Sequence, residues 1–119
     1  MKYMMFIKHS EKYRSMTIPP ALYEAMGEFV TAGLKSGLIK ETAGLKTVNE
    51  GQRVRLDAGK VHVVDGPYSE AKEVVGGFAI VEVKSKAEAL DVARQFMEIH
   101  RVHFPAFEGE CEVRPYEEM

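Results

Sequence analysis

The 119-residue chain has a single cysteine, Cys111, so an intrachain disulfide framework is excluded. A chain without disulfides fits a reducing cytosol, and we therefore predict a cytoplasmic protein. Long hydrophobic runs are also absent from the N-terminal region. The apolar run at residues 3–7 is flanked by Lys2 and Lys8 and is too short for a signal-peptide core or a membrane span. This run predicts a β-strand instead.

Blocks of basic residues are missing as well. The chain has 16 Lys and Arg against 18 Asp and Glu, interspersed along its length, with a net charge of −2. Electrostatic binding to nucleic acid or to an anionic membrane therefore has no support. Phosphate loops, nucleotide fingerprints and serine-nucleophile motifs do not occur. What is present is 45% hydrophobic residues, enough to bury the core of one domain over residues 1–119.

The hydrophobic pattern predicts strands at residues 3–8, 38–40, 76–84 and 110–116, with a helix between the first two and another between the last two. The polar segment 9–15 is predicted to be a loop. The first helix is expected to begin at the Pro19-Pro20 pair, with Thr17 as a candidate cap, and to end at Gly37. Ser85 to Glu88 matches a capping box at the start of the second helix.

Residues 53–57 and 60–64 alternate around Ala58-Gly59, which predicts a β-hairpin with a two-residue turn. The order strand, helix, strand, hairpin, strand, helix, strand predicts an α+β fold, the ferredoxin-like split βαβ arrangement with an inserted β-hairpin. Two helices cover only one face of such a sheet. Because strand 3–8 is apolar on both faces, we predict a homodimer packed sheet to sheet, of the dimeric α/β-barrel type.

The hairpin register determines which face Asp65 occupies. One face, expected to be the inner one, carries Val54, Leu56, Val61 and Val63. Asp65 has the same parity, so its carboxylate is expected to point towards the apolar side, where it needs hydrogen-bond donors or a cation. That environment suits a working acid or base, and equally an aspartate that accepts backbone hydrogen bonds in a turn. His62 falls on the opposite face, which excludes a His62–Asp65 pair within the hairpin.

The connection after the hairpin, "DGPYSEAKEVVGGF" at residues 65–78, combines turn chemistry with charge. Asp-Gly-Pro alone explains a surface turn. Lys72 would neutralise Asp65 or bind an anionic group of a substrate. Gly76 and Gly77 would let the backbone approach a ligand closely, or would form a bulge.

The last predicted strand places Glu112, Arg114 and Tyr116 on one face, and Cys111 on the other face. The charged pair is either a solvated surface pattern or the lining of a polar pocket between subunits. Arg114 suits carboxylate recognition because its guanidinium is a planar fork. Cys111 is predicted to be a core residue rather than a nucleophile.

His100 and His103 have a spacing that can hold zinc, and His100 continues the apolar stripe of the second helix. A zinc site needs a third and a fourth ligand. Histidines near a helix C-terminus are also favoured by the helix dipole and used in packing. We therefore expect no metal.

Residues 65–78 resemble the signature of the DGPF-domain branch of the YCII-related family, with Tyr68 where Phe is usual. "GECEVRP" at residues 109–115 resembles the closing strand of that family, and residues 1–7 resemble its opening strand. The resemblance implies a dimeric ferredoxin-like α+β fold, bacterial origin and an association with loci of extracytoplasmic-function sigma factors. It also implies a His–Asp acid–base pair, in which Asp65 matches the acid and the motif places no histidine.

These observations together predict a small dimeric enzyme, a lyase or isomerase that acts by acid–base chemistry on a small anionic organic molecule without a cofactor. Asp65 would move the proton, and Lys72 and Arg114 would hold the substrate, with Glu112, Gly76 and Gly77 completing the site. The alternative is a non-catalytic binding or regulatory module on the same fold, associated with sigma-factor signalling. A third possibility is a metal-binding protein that uses His100 and His103.

Overall fold

The computed structural model describes residues 1–66 and 74–117, without the side chains of Glu11 and Arg14. Within these ranges the chain has a mixed α+β architecture. Its strands and helices are β1 (Lys2–His9), α1 (Pro20–Ser36), β2 (Ile39–Gly44), β3 (Gln52–Asp57), β4 (Lys60–Asp65), β5 (Val74–Glu82), α2 (Lys86–His103) and β6 (Gly109–Pro115). Short 3-10 helices lie at Glu11–Ser15 and Val48–Glu50.

Four strands form one antiparallel sheet in the order β2-β5-β1-β6. Both α-helices pack on the same face of this sheet. The buried core between them is made of side chains from alternate strand positions and from α2, among them Tyr3, Met5, Ile39, Val81, Val92 and Ala93. β1 is a central strand, with a hydrogen-bonded neighbour on each side.

The first helix has the predicted boundaries. It begins at Pro20 and is ended by Gly37, whose φ of 84° is in the left-handed region that glycine adopts without strain. The prediction of a Thr17 cap is wrong, because the capping position is Pro19 and no side chain caps the helix there. The helix also packs closely on the sheet. A Cβ on Gly33 would lie 2.4 Å from Cδ1 of Ile39 in β2.

The second helix confirms the capping box. Ser85 Oγ accepts a hydrogen bond from the backbone N–H of Glu88 at 3.1 Å. The helix continues to His103 and therefore carries His100 on the same buried stripe as Ala89 and Ala93, as the spacing predicted. None of the helices described in residues 1–66 and 74–117 is long and apolar enough to cross a membrane.

The second strand and the first loop differ from the prediction. β2 continues to Gly44, because it pairs along β5 beyond Lys40, and Thr42 Oγ1 donates a hydrogen bond to the Phe78 carbonyl at 2.8 Å. The polar segment 9–15 is not an irregular loop: His9 completes β1, and a turn of 3-10 helix follows.

The sheet face opposite the helices carries a second group of apolar side chains. Cross-strand pairing places Met4 beside Ile80 and Phe6 beside Phe78. All four are partly exposed, whereas their neighbours along each strand point into the helix-side core. These four residues are called the open apolar face below.

The hairpin has the predicted register, in which Leu56 pairs with Val61 and Asp57 with Lys60. Ala58 and Gly59 both have positive φ values, 51° and 78°, as a type I′ turn requires. The expectation that one hairpin face is an inner face of the chain is wrong. β3 and β4 form a separate two-stranded sheet, and among the described residues no core lies beneath their apolar side chains.

Candidate functional site

Asp65 ends β4 in an exposed position. Its Oδ1 accepts a hydrogen bond from Gln52 Nε2 at 2.6 Å, across the open end of the hairpin. The expected burial of the carboxylate does not occur, because the hairpin face that Asp65 shares is itself exposed. The next residue, Gly66, donates its backbone N–H to the carbonyl of Gly51, the residue that follows the second 3-10 helix, at 2.9 Å. Lys72, its proposed cation, lies outside the described residues.

Glu112 and Arg114 lie together on the side of the sheet that carries the open apolar face. Their register partners on β1 are Phe6 and Met4. Glu112 accepts a hydrogen bond from Lys8 Nζ, and this bond lowers the pKa of the Glu112 carboxyl from its usual value. Arg114 Nε lies 3.6 Å from Glu112 Oε2. The three side chains form a charged cluster at the edge of the open apolar face.

Gly76 and Gly77 lie on β5, and both permit a close approach, although of protein rather than of a ligand. A Cβ on Gly76 would lie 2.2 Å from His9 Nε2, and a Cβ on Gly77 would lie 3.0 Å from the Ala43 carbonyl oxygen. The bare backbone of Gly76 therefore makes room for the imidazole of His9. The predicted site residues are thus distributed over three places: the hairpin end, the open face and the helix side.

On the helix side, a cavity of about 520 Å³ lies between the sheet, the two α-helices and the first 3-10 helix. Its walls are mainly aliphatic and aromatic, including Met5, Met26, Phe29, Val30, Phe96 and Phe107. Among the described residues that line it there is no Asp, Glu, Lys or Arg. A few polar groups interrupt the apolar wall: His9, Tyr13, Tyr23, Thr42 and His100. A mostly apolar cavity with few polar groups is typical of small-molecule sites.

His9 is the last residue of β1 and is 3% exposed. Its Nδ1 lies 3.0 Å from the Ser10 carbonyl oxygen, and its ring stacks on Tyr13 with 4.2 Å between ring centroids. A carbonyl oxygen can only accept a hydrogen bond, so Nδ1 carries the proton. In the neutral ring, Nε2 therefore keeps its lone pair.

His100 lies on α2 and is 4% exposed. Its Nδ1 is 3.0 Å from the Phe96 carbonyl oxygen, which again places the proton on Nδ1 and leaves the Nε2 lone pair free to accept. Phe96 and Phe107 contact the ring at centroid distances of 4.8 Å and 4.6 Å. Burial lowers the pKa of His100, and the hydrogen bond to Phe96 opposes this only in part. The imidazole is therefore neutral at pH 7.

The two histidines belong to one aromatic wall. Tyr13 stacks on His9 and meets Phe107 edge-on at 5.6 Å, and Phe107 in turn contacts His100. Residues from β1, from the first 3-10 helix, from α2 and from the segment before β6 thus meet at one end of the cavity. The positions of the imidazoles are consequently determined by packing as well as by hydrogen bonds.

His103 ends α2 three residues after His100 and is partly buried. In residues 1–66 and 74–117, no three His, Cys, Asp or Glu side chains come together as metal ligands would. Cys111 also lines the cavity, and burial raises the pKa of its thiol to about 11. The thiol is protonated at neutral pH and packs against the core, as predicted.

His9 is the site residue that the sequence analysis missed. Its signal was present, because His9 has the parity of Tyr3 and Met5 and therefore belongs to their face of β1. The strand was predicted to end at Lys8 because the residues after His9 are polar.

The YCII-related domain model matches residues 1–103. An uncharacterised protein of Rhizobium meliloti (strain 1021) is 34% identical over 82 residues. That match covers 69% of this chain and 62% of the relative, so it spans less than two thirds of the length of the relative.

Proposed function

We propose that this chain, which belongs to the YCII-related domain family, binds a small, uncharged, largely apolar organic molecule in its helix-side cavity and acts on it by acid–base chemistry. The observation that carries the proposal is the state of His100, which is buried, neutral and hydrogen-bonded to the Phe96 carbonyl oxygen. A neutral imidazole with a free Nε2 lone pair accepts a hydrogen bond, or a proton, from a ligand O–H or N–H group.

His9 adds a second imidazole to the same cavity. The His100 ring can accept a proton while the His9 ring helps to orient the ligand, and a positioned proton acceptor of this kind is what acid–base catalysis uses. Tyr13 and Phe107 hold the rings apart from bulk solvent, and a dry site strengthens each polar contact that the ligand makes.

The cavity changes two parts of the prediction from sequence. The proposed proton-transfer group is His100 rather than Asp65, because Asp65 is exposed at the hairpin end. The proposed ligand is uncharged rather than anionic, because an anion would find no Lys or Arg among the described residues of the wall. An anion would instead suit Arg114 at the edge of the open apolar face.

A second candidate is a non-catalytic binding module that uses the same cavity. The uncharged wall favours it, since a ligand held by apolar burial alone would stay chemically unchanged. The family resemblance implies an association with sigma-factor signalling, and a regulatory role of that kind is consistent with this second candidate.

We also propose the finer classification. A ferredoxin-like assignment is supported by the strand order β2-β5-β1-β6 and by helices on one face. Membership of the DGPF branch is supported by residues 65–78. A cytoplasmic location is supported by the single cysteine, and a homodimer of the α/β-barrel type by the open apolar face. Bacterial origin is what the family resemblance implies.

Ligand titrations followed by amide NMR test the proposal. Toluene has a methyl group in place of the hydroxyl group of phenol and is therefore a donor-free probe of similar size, and benzoate supplies the anionic comparison. Phenol should perturb amides around the cavity, and the filling variant Ala79→Leu should abolish this, whereas Ala87→Leu on the exposed side of α2 should not. Replacing His100 by Phe should lower the affinity ratio of phenol to toluene by about tenfold, the value of one hydrogen bond.

Three results discriminate between the candidates. Binding of phenol with an unchanged ratio in His100→Phe would favour the non-catalytic module. Amide shifts near Arg114 that only benzoate causes would support the anionic ligand that the sequence predicted. An absence of shifts around the cavity with all three probes would contradict the proposed site.

A further inference from the structure

The helix-side cavity opens to solvent at one edge of the sheet. Among the described residues that line it, the exposed ones are Tyr23, Gly27, Ala43, Gly44 and Leu45. They belong to the first half of α1, to the end of β2 and to the residue after β2. Since β2 is an edge strand of the four-stranded sheet, these residues border an opening between α1 and that edge. This opening is called the mouth below.

The two imidazoles lie on the other side of the cavity, and both are buried. His9 is on β1, which is separated from β2 by β5, and His100 is on α2, which packs against β6. Gly109 of β6 pairs with His9, and a Cβ on Gly109 would lie 2.6 Å from Cζ of Phe107. The ring of Phe107 in turn contacts His100. The hydrogen-bonding end of the cavity is therefore its deep end, remote from the mouth.

One row of paired residues crosses the sheet from the mouth to the deep end and is called the floor row here. Gly44 of β2 pairs with Gly77 of β5. Gly77 also pairs with Ile7 of β1, which pairs with Cys111 of β6. All of these residues line the cavity. Three interstrand spacings of about 4.8 Å separate the ends of the row, so the floor of the cavity is about 14 Å long.

The part of the floor row nearest the mouth consists of bare backbone, because Gly44 and Gly77 have no side chains. A Cβ on Gly44, or on Gly27 of α1, would meet nothing within 4 Å. The deep part carries the side chains of Ile7 and Cys111. A narrow apolar molecule can therefore lie on backbone at the mouth and reach inwards to the imidazoles.

We propose that the ligand of this cavity is an elongated, amphipathic molecule that lies along the floor row. A hydroxyl or N–H group at its deep end donates a hydrogen bond to His100, its body is apolar, and its other end is a polar group in the mouth. A cavity of about 520 Å³ is large enough for a molecule of this kind. The inference rests on the proposed function and deepens it by naming the class of ligand.

The exposure of the mouth explains why the outer end of the ligand is polar. Tyr23 lines the mouth and is 59% exposed, so water reaches a ligand there. A polar group keeps its hydration in that position. Inside the apolar wall the same group would lose its hydration without a compensating hydrogen bond.

Phenols with para-alkyl chains of increasing length, titrated by amide NMR, test the length of the site. The affinity should rise by about fourfold per methylene from para-methylphenol through para-propylphenol to para-pentylphenol, as expected when each methylene is buried. Affinities that stay equal or fall along this series would overturn the proposal, because the site would then end near the first ring.

A dimethylamide group on the alkyl chain tests the direction of the ligand. This group accepts hydrogen bonds but cannot donate one, so it cannot replace the phenol hydroxyl at His100. At the end of the pentyl chain it should change the affinity by less than about threefold, whereas on the methyl group it should weaken binding by about tenfold or more, because it is buried there without a partner. A tenfold loss with the pentyl chain would contradict a polar end in the mouth.

A pair of variants on α1 tests the mouth itself. Gly27→Leu places a side chain in the mouth, and Ala32→Leu is the matched control at an exposed position outside the cavity lining. Leucine is a good helix former at either position. The affinity ratio of para-pentylphenol to para-methylphenol should fall by about tenfold in Gly27→Leu, because the leucine displaces about two methylenes of the chain. Ala32→Leu should keep the wild-type ratio. An unchanged ratio in Gly27→Leu would overturn the proposal.

The outcome is separable from that of the proposed function. If phenol perturbs the amides around the cavity and longer chains add no affinity, only the elongated ligand falls. If His100→Phe leaves the affinity ratio of phenol to toluene unchanged while the chain-length gain persists, only the role of His100 falls.

Discussion

At the scale of single residues, the pKa of His100 depends on the contacts that surround its ring. Its Nδ1–H donates a hydrogen bond to the Phe96 carbonyl oxygen, and the rest of the ring packs between aromatic side chains. Burial penalises the charged form, so the pKa of His100 is lowered from its ordinary value of about 6.5.

A pH dependence of stability follows from this shift. The unfolded chain binds a proton at position 100 more readily than the folded chain, so the contribution of His100 to stability is present above about pH 6.5 and is lost as the pH falls through the lowered pKa. We expect wild type to lose more stability than His100→Gln between pH 7 and lower pH in urea unfolding. His62→Gln, on the exposed hairpin, should follow wild type. Parallel curves for wild type and His100→Gln would exclude a destabilising protonation of His100.

At the scale of elements, Gly66, the residue after β4, is closely packed against the preceding 3-10 helix, Val48–Glu50. A Cβ on Gly66 would lie 1.7 Å from the Val48 carbonyl oxygen, which is backbone and moves only with its helix. Gly66→Ala is therefore expected to cost about 1–3 kcal/mol, as overpacking does. Gly44→Ala is the control, because a Cβ there meets nothing within 4 Å. Equal urea midpoints for the two variants would show that the backbone at Gly66 relaxes freely away from the helix.

At the scale of the whole molecule, the two helices cover one face of the sheet, and no helix or strand within residues 1–66 and 74–117 covers the open apolar face. We expect light scattering to give a mass of twice the 13.4 kDa chain at micromolar concentration. Ile80→Lys should shift the protein towards the monomer, because a lysine would lie in the sheet contact. Leu90→Lys makes the same change on the exposed side of α2 and should leave the dimer intact. A wild-type mass of one chain would rule out the sheet contact.

Much of the fold could be predicted because its signals are local. The prolines before α1, Gly37 after it and the Ser85 cap each act within one turn of the chain. The hairpin register depended only on a two-residue turn and on alternation. The helical spacing that predicted a buried His100 also held.

The sequence by itself therefore determined where the helices and the hairpin lie and which residues share a face. Only the tertiary structure decided which faces are covered. The parity of Asp65 was predictable, but its exposure was not, because that depends on whether the hairpin packs on its own chain. The cavity likewise brings His9 and His100 together from opposite ends of the chain. Contacts between residues so far apart in the chain arise from the packing of whole helices and strands, and local sequence patterns do not predict this packing.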